Sequence, residues 1–156
     1  MGVIVNPALS GSPQDSDHTA ATSAKIMVSG DTIFTVVGDI QIVSLVSECQ
    51  TANGATASTL QFSSTTALGS TLALSNASTS LANVAAGYSV AIAAGSSLAE
   101  APIQSASGIM LNTASRGVRL PAGALKIVIG VGSTTGTWRH FIRYEPLLEG
   151  SYIIAA

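Results

Sequence analysis

Two histidines, His18 and His140, are the side chains a hydrolytic centre in this chain would have to use as its base. No Gly-x-Ser-x-Gly elbow presents a nucleophile to either of them. His140 sits within an alternating strand pattern, where a partnered structural imidazole is the plainer reading. Asp15-Ser16-Asp17-His18 gathers oxygen and nitrogen donors but lacks the glycine and distal glutamate of a calcium loop, so a solvated or neighbour-capping acidic arm fits better. The eight carboxylates are scattered and suggest no acid/base pair. Gly130-Val131-Gly132-Ser133-Thr134-Thr135-Gly136 resembles a phosphate loop only superficially. Its third glycine falls one residue late for the dinucleotide fingerprint, and no Lys-Ser/Thr follows. Thr137 to Phe141 then continues as a strand pattern, leaving no helix N-terminus to hold a phosphate, so a Gly/Ser/Thr hairpin turn is expected. Cys49, the single cysteine, follows an apolar run and reads as a small core residue; with no internal partner it fits a protein made in a reducing cytoplasm. Nothing here calls for a metal or a cofactor, and the chain reads as non-enzymatic.

The elements that would position these residues are strands. Lys25–Ser29, Ile33–Val37, Ile40–Val46, Thr59–Ser63, Thr71–Leu74, Tyr88–Ile92, Val118–Leu120, Leu125–Val131, Thr137–Tyr144 and Ser151–Ile154 are rich in β-branched or alternating residues, and Ile109–Leu111 is a shorter candidate. Gly30-Asp31, Gly38-Asp39 and Asn53-Gly54 mark turns between them. Many short strands with little helical period predict an all-β fold, a β-sandwich or jelly-roll-like single domain over residues 23–156. Ala77–Ala86 and Ser96–Ala101 are Ala-rich enough to leave a helical piece open. Residues 1–22 read as an extended N-terminal arm. Asn6-Pro7, Gly11-Ser12-Pro13 and Asp15-Ser16-Asp17 interrupt it too often for a regular element, while the apolar patch Val3-Ile4-Val5 favours pinning onto a neighbour.

The composition is that of a subunit. Charged residues make up 9% of the 156-residue chain against about 25% in an ordinary soluble domain, and none occurs between Glu48 and Glu100. The surface must therefore be Ser, Thr, Ala, Asn and Gly, and burial against copies of itself or a partner would account for it; a lone β domain with a Ser/Thr-rich coat is the bland alternative. A net charge of −2 offers no basic field for nucleic acid, and no stretch is apolar and unbroken enough to span a membrane as a helix. The opening residues lack the basic flank and long apolar run of a signal peptide, so the sequon Asn76-Ala77-Ser78 carries little weight. Five of the six cations lie in the last third, Arg116 to Arg143, a polarity that could orient the subunit against a neighbour.

Thr137–Tyr144 is bulky on both faces, with Trp138, His140, Ile142 and Tyr144 on one and Arg139, Phe141 and Arg143 on the other. Such a strand is either central to two layers or half of an interface. The interface candidates are Val3, Ile4, Val5, Asp15, Asp17, Trp138, Arg139, Arg143 and Tyr144; a plain core role for the aromatics stands beside that reading.

Gly130-Val-Gly-Ser-Thr-Thr-Gly-Thr-Trp138, followed by Arg143-Tyr144-Glu145-Pro146-Leu147 and a small-residue tail, resembles the C-terminal pattern of small virion proteins of tailed bacteriophages. Asn6-Pro7-Ala8-Leu9-Ser10-Gly11 and Ala52-Asn53-Gly54-Ala55-Thr56-Ala57-Ser58-Thr59-Leu60 extend the likeness to the start and middle. Such proteins are similar to head decoration, or cement, proteins. The resemblance implies a non-enzymatic capsid protein that binds the major capsid protein on the outer shell of the virion, assembles with itself as a trimer, and passes through the host cytoplasm during assembly. The alternative is a glycan-binding β-sandwich on a tail or other surface, for which Trp138, Tyr144 and Tyr88 are the available aromatics.

Overall fold

In the strand with the clearest alternation, Ile40–Cys49, the residues Ile40, Ile42, Leu45, Ser47 and Cys49 are buried while those between them are only half-buried. The phase slips once. Opposite Arg143 and Tyr144 the ladder passes from Ser44 to Ile42, which leaves Val43 as a one-residue bulge. The bulge lets Ile42 and Leu45, three residues apart, both point inward. The same device in Thr32–Val37 buries the adjacent pair Ile33 and Phe34, because the ladder skips Ile33 between Leu125 and Lys126.

The computed structural model describes residues 17–67, 69, 71–92, 103–105 and 118–156. The strands are β1 (His18–Ala21), β2 (Lys25–Val28), β3 (Thr32–Val37), β4 (Ile40–Cys49), β5 (Leu60–Thr66), β6 (Thr71–Ala73), β7 (Ser89–Ala91), β8 (Ile103–Ser105), β9 (Val118–Leu120), β10 (Gly123–Ile129), β11 (Ser133–Pro146) and β12 (Tyr152–Ala155). They make two antiparallel sheets, and no helix occurs among the described residues. One sheet runs β1-β11-β4-β7-β8, with β2 also on β11 and β9 also on β4; the other runs β12-β3-β10-β5-β6. In the first sheet the two long strands carry the short ones end to end. β1 and β2 share one edge of β11, and β7 and β9 share one edge of β4. The fold is a β-sandwich. Its interior holds Trp138, Phe34, Phe62, Met27, Leu45 and Leu125, all fully buried.

The ends of the sandwich are defined by turns that cross between sheets. At the upper pole, residues 29–31 join β2 to β3 and residues 130–132 join β10 to β11. At the lower pole, residues 38–39 join β3 to β4 and residues 147–151 join β11 to β12. The six residues of β3 run from one pole to the other, so the poles lie roughly 20–25 Å apart.

Three expectations change. Residues 18–21, assigned to the arm, form β1 of the first sheet, so regular structure begins earlier than residue 23. The Gly130–Gly136 run is not a hairpin, since β10 and β11 lie in different sheets; residues 130–132 make the crossing turn, with the Gly132 N–H donating to the Ile129 carbonyl at 3.0 Å, and residues 133–136 already belong to β11. The segment Ala77–Ala86 is irregular rather than helical, held by backbone bonds to Ser58 and Leu60 of the neighbouring segment. The strand candidate Ile109–Leu111 and the Ala-rich Ser96–Ala101 lie outside the described residues.

Candidate interaction surfaces

β11 divides the candidate residues by face. Trp138, His140, Ile142 and Tyr144 are buried, and Arg139, Phe141 and Arg143 point to the other side. Trp138 is thus a core residue: its indole fills the space between the sheets and no partner can reach it. Its Nε1–H donates to Asn53 Oδ1 at 3.4 Å. Tyr144 is likewise buried, with its hydroxyl accepting the Ile153 N–H at 3.3 Å and its ring stacked on His18 at 5.5 Å between centroids. Both aromatics leave the list of interface candidates, because their hydrophobic area is already spent inside the subunit. Val3, Ile4, Val5 and Asp15 lie outside the described residues.

Asp17, Arg139 and Arg143 are on the surface. Arg143 forms an ion pair with Asp17, which ties the start of β1 to β11. Arg139 stands opposite Glu48 in the ladder but makes no ion pair among the described residues, and its Nε is buried with no hydrogen-bond partner among them. Arg119 pairs with Asp39 at the lower pole, and Lys25 lies 3.9 Å from Asp31 near the upper one.

The nearest approach to catalytic geometry is inside the core. Ser47 Oγ lies 2.7 Å from His140 Nδ1, a serine–histidine contact, yet both side chains are fully buried. His140 Nε2 has no partner, so no carboxylate orients the ring. Burial, reinforced by the Lys25 charge, lowers the His140 pKa to about 4 and keeps the ring neutral at neutral pH. A sealed, neutral pair of this kind satisfies buried polar atoms; a substrate has no route to it. Burial also raises the Cys49 thiol, away from nucleophilic character. Among the described residues no group of three or more His, Cys, Asp or Glu is placed to hold a metal ion.

Asn53 is the functional surprise of the core. Read from sequence as part of a polar turn, it is buried and bonded on every side: Oδ1 accepts from the Gly136 N–H at 2.8 Å as well as from Trp138, Nδ2 donates to the Leu81 carbonyl at 3.1 Å, and its own N–H donates to Val84. Gly136 makes this possible, since any Cβ there would collide with the Thr51 carbonyl and Asn53 Oδ1.

What remains for a partner is a surface with an unusual distribution. The outer face of the second sheet is Thr35, Ala124, Thr65 and Thr71 in one row across the strands and Thr32, Lys126, Ser63 and Ala73 in the next, with Lys126 its one charge. Two of the exposed large apolar side chains reach that face: Ile154 stands opposite Thr35, extending the first row, and Val128 lies two residues beyond Lys126 on β10. Of the others, Val28 and Val131 adjoin or lie in the turns of the upper pole with Ile26 further along β2, Leu147, Leu148 and Tyr152 lie in or beside the 147–151 turn of the lower, and Leu72 is on edge strand β6. No protein-family model, curated protein or solved structure matches the chain.

Proposed function

We propose that this protein is a structural subunit of a tailed-phage virion, a capsid decoration or cement protein that binds capsomers on the outer shell and assembles with copies of itself. The observation that carries the reading is the pairing of a charge-poor composition with nine exposed large apolar side chains among the described residues of a disulfide-free sandwich. Such a molecule gains by being covered. The C-terminal sequence pattern, Gly130 to Trp138 and Arg143 to Leu147, supplies the resemblance to phage virion proteins. The glycan-binding alternative loses two of its three aromatics, Trp138 and Tyr144, to the core.

The mechanism is thermodynamic. A subunit that binds only the expanded shell stabilises that state by mass action. Many weak sites on one lattice add their strength through high effective concentration. The arm contributes if it reaches the shell or a neighbouring subunit. Its removal should stop before Asp17, so that β1 and the Asp17–Arg143 pair survive.

The test is co-sedimentation of the purified protein with expanded and unexpanded heads of the encoding phage. Saturable binding to expanded heads, with a rise in their heat resistance, is the expected result. A variant lacking residues 1–16 should keep the melting temperature of the free protein and bind the heads more weakly. Equal, negligible binding to both head forms would overturn the function, and full binding by the truncated variant would remove the arm from it.

A further inference from the structure

The register of the ladders sorts the charged residues between the two outer faces. On the first sheet Arg139 stands opposite Glu48, Glu145 lies in one row with Gln41 and Arg119, and Arg143 pairs with Asp17. Beside them Ser89 and Ala91 share the outward side of Glu48 and Val46 yet are buried, so part of that face is already out of a partner's reach. The outer face of the second sheet carries one charge among the described residues, Lys126, and its first row runs Ile154, Thr35, Ala124, Thr65 and Thr71 across all five strands. Covering the first face would strip water from several ionised groups. Covering the second desolvates one, buries Ile154 and Val128, and orders small or β-branched side chains that have little rotamer freedom to lose.

We infer that two copies of this chain pack the outer faces of their second sheets together, about a two-fold axis that runs along this row. This rests on the reading above that the chain assembles with itself, and not on the identity of any shell. In a two-fold contact a surface meets itself, so a charge on the axis faces its own copy. An axis along the strands would set Lys126, on the central strand β10, directly against its copy. An axis across the strands puts Lys126, two residues from Ala124, about 7 Å to one side and its copy about 7 Å to the other. At about 14 Å their repulsion is screened, since the Debye length is about 8 Å in physiological salt. Each residue of the row then faces its own copy, with Ile154 at the rim and Ala124 at the centre, where a small side chain lets the sheets approach to the usual spacing of about 10 Å. A face about 20 Å across and about 20 Å along is small for a specific interface, so the dimer is weak and dissociates on dilution. It joins copies in pairs; the trimer that the resemblance implies would need a second surface.

The experiment places opposite charges at one position of the row and follows the full-length chain by sedimentation velocity over a wide concentration range at low salt. Thr35 is exposed, and melting temperatures close to the parent's show that Thr35→Glu and Thr35→Lys fold. Each variant alone should lose self-association, because the new charge faces its own copy. Mixed in equal amounts, they should form a species of two chains, one of each kind. Ser44→Glu, on the outer face of the first sheet, should associate as the parent does. Parent-like association of either Thr35 variant alone would overturn the inference while leaving self-assembly by another surface. A mixture that stays monomeric would overturn it too, as would loss of association in a folded Ser44→Glu chain, which would move the contact to the other face. A parent chain that is monomeric throughout would also overturn it; head binding by that monomer would still uphold the decoration function.

Discussion

At the residue scale, the polar atoms buried in this sandwich do structural work. His140 is the clearest case. In the unfolded chain it titrates near pH 6.5, whereas in the folded core it resists protonation until about pH 4. The unfolded state therefore takes up a proton that the native state refuses as pH falls through that window. His140 leaves stability unchanged above the unfolded pKa and erodes it below, by about 2 kcal/mol between about pH 7 and pH 5. Urea denaturation across that range should show the loss. The double variant Ser47→Ala/His140→Leu, which removes both ends of the 2.7 Å contact, should flatten the slope. An unchanged slope would mean that His140 takes up its proton over the same pH range in the folded and the unfolded chain. His140 was legible from the sequence as a structural imidazole on the face shared with Trp138, but its serine partner, 93 residues away, was not.

At the element scale, the strands were the legible part, and the reason is visible in their burial. β3, β4, β10 and β11 each alternate around a packed face, and the alternation is written in the residues. β1 was hidden because its four residues, His-Thr-Ala-Ala, are exposed or half-buried and carry no apolar periodicity; it is held by its register on β11 and by Thr22, whose N–H donates to the His140 carbonyl at 3.0 Å. The crossing turn at 130–132 looked like a hairpin because turn chemistry records a reversal, not the sheet to which the chain returns. Asn53 was hidden for a similar reason, since Asn-Gly reads as a surface turn until the tertiary contacts are known. It fastens the loops at 51–58 and 81–84 to the start of β11. Asn53→Ala would leave the Gly136 N–H and the Trp138 indole N–H without their acceptor and the Leu81 carbonyl with the Val84 N–H alone, at a cost of about 3 kcal/mol. Chemical denaturation should register that loss, and a change within a few tenths would show that water replaces the amide.

At the scale of the whole molecule, the low charge seen in the sequence acquires a shape. One outer face is largely threonine, serine and alanine around Lys126, its one charge among the described residues, with Ile154 and Val128 exposed on it as well. Trp138 and Tyr144, named as interface candidates beside a plain core role, are buried in the sandwich, and Arg139, Phe141 and Arg143 face outward from the same strand. Composition alone shows that the surface is poor in charge; it could not show where the exposed apolar side chains would fall, because strand pairing joins residues as distant as Val28 and Ser133, and that this surface is covered by copies of the chain is our proposal. The native mass of the purified chain, measured by light scattering over a dilution series, tests this most directly. A mass that is a small multiple of 15.6 kDa and falls on dilution is the predicted result. A single species of 15.6 kDa at every concentration would contradict a surface built to be covered by copies of itself.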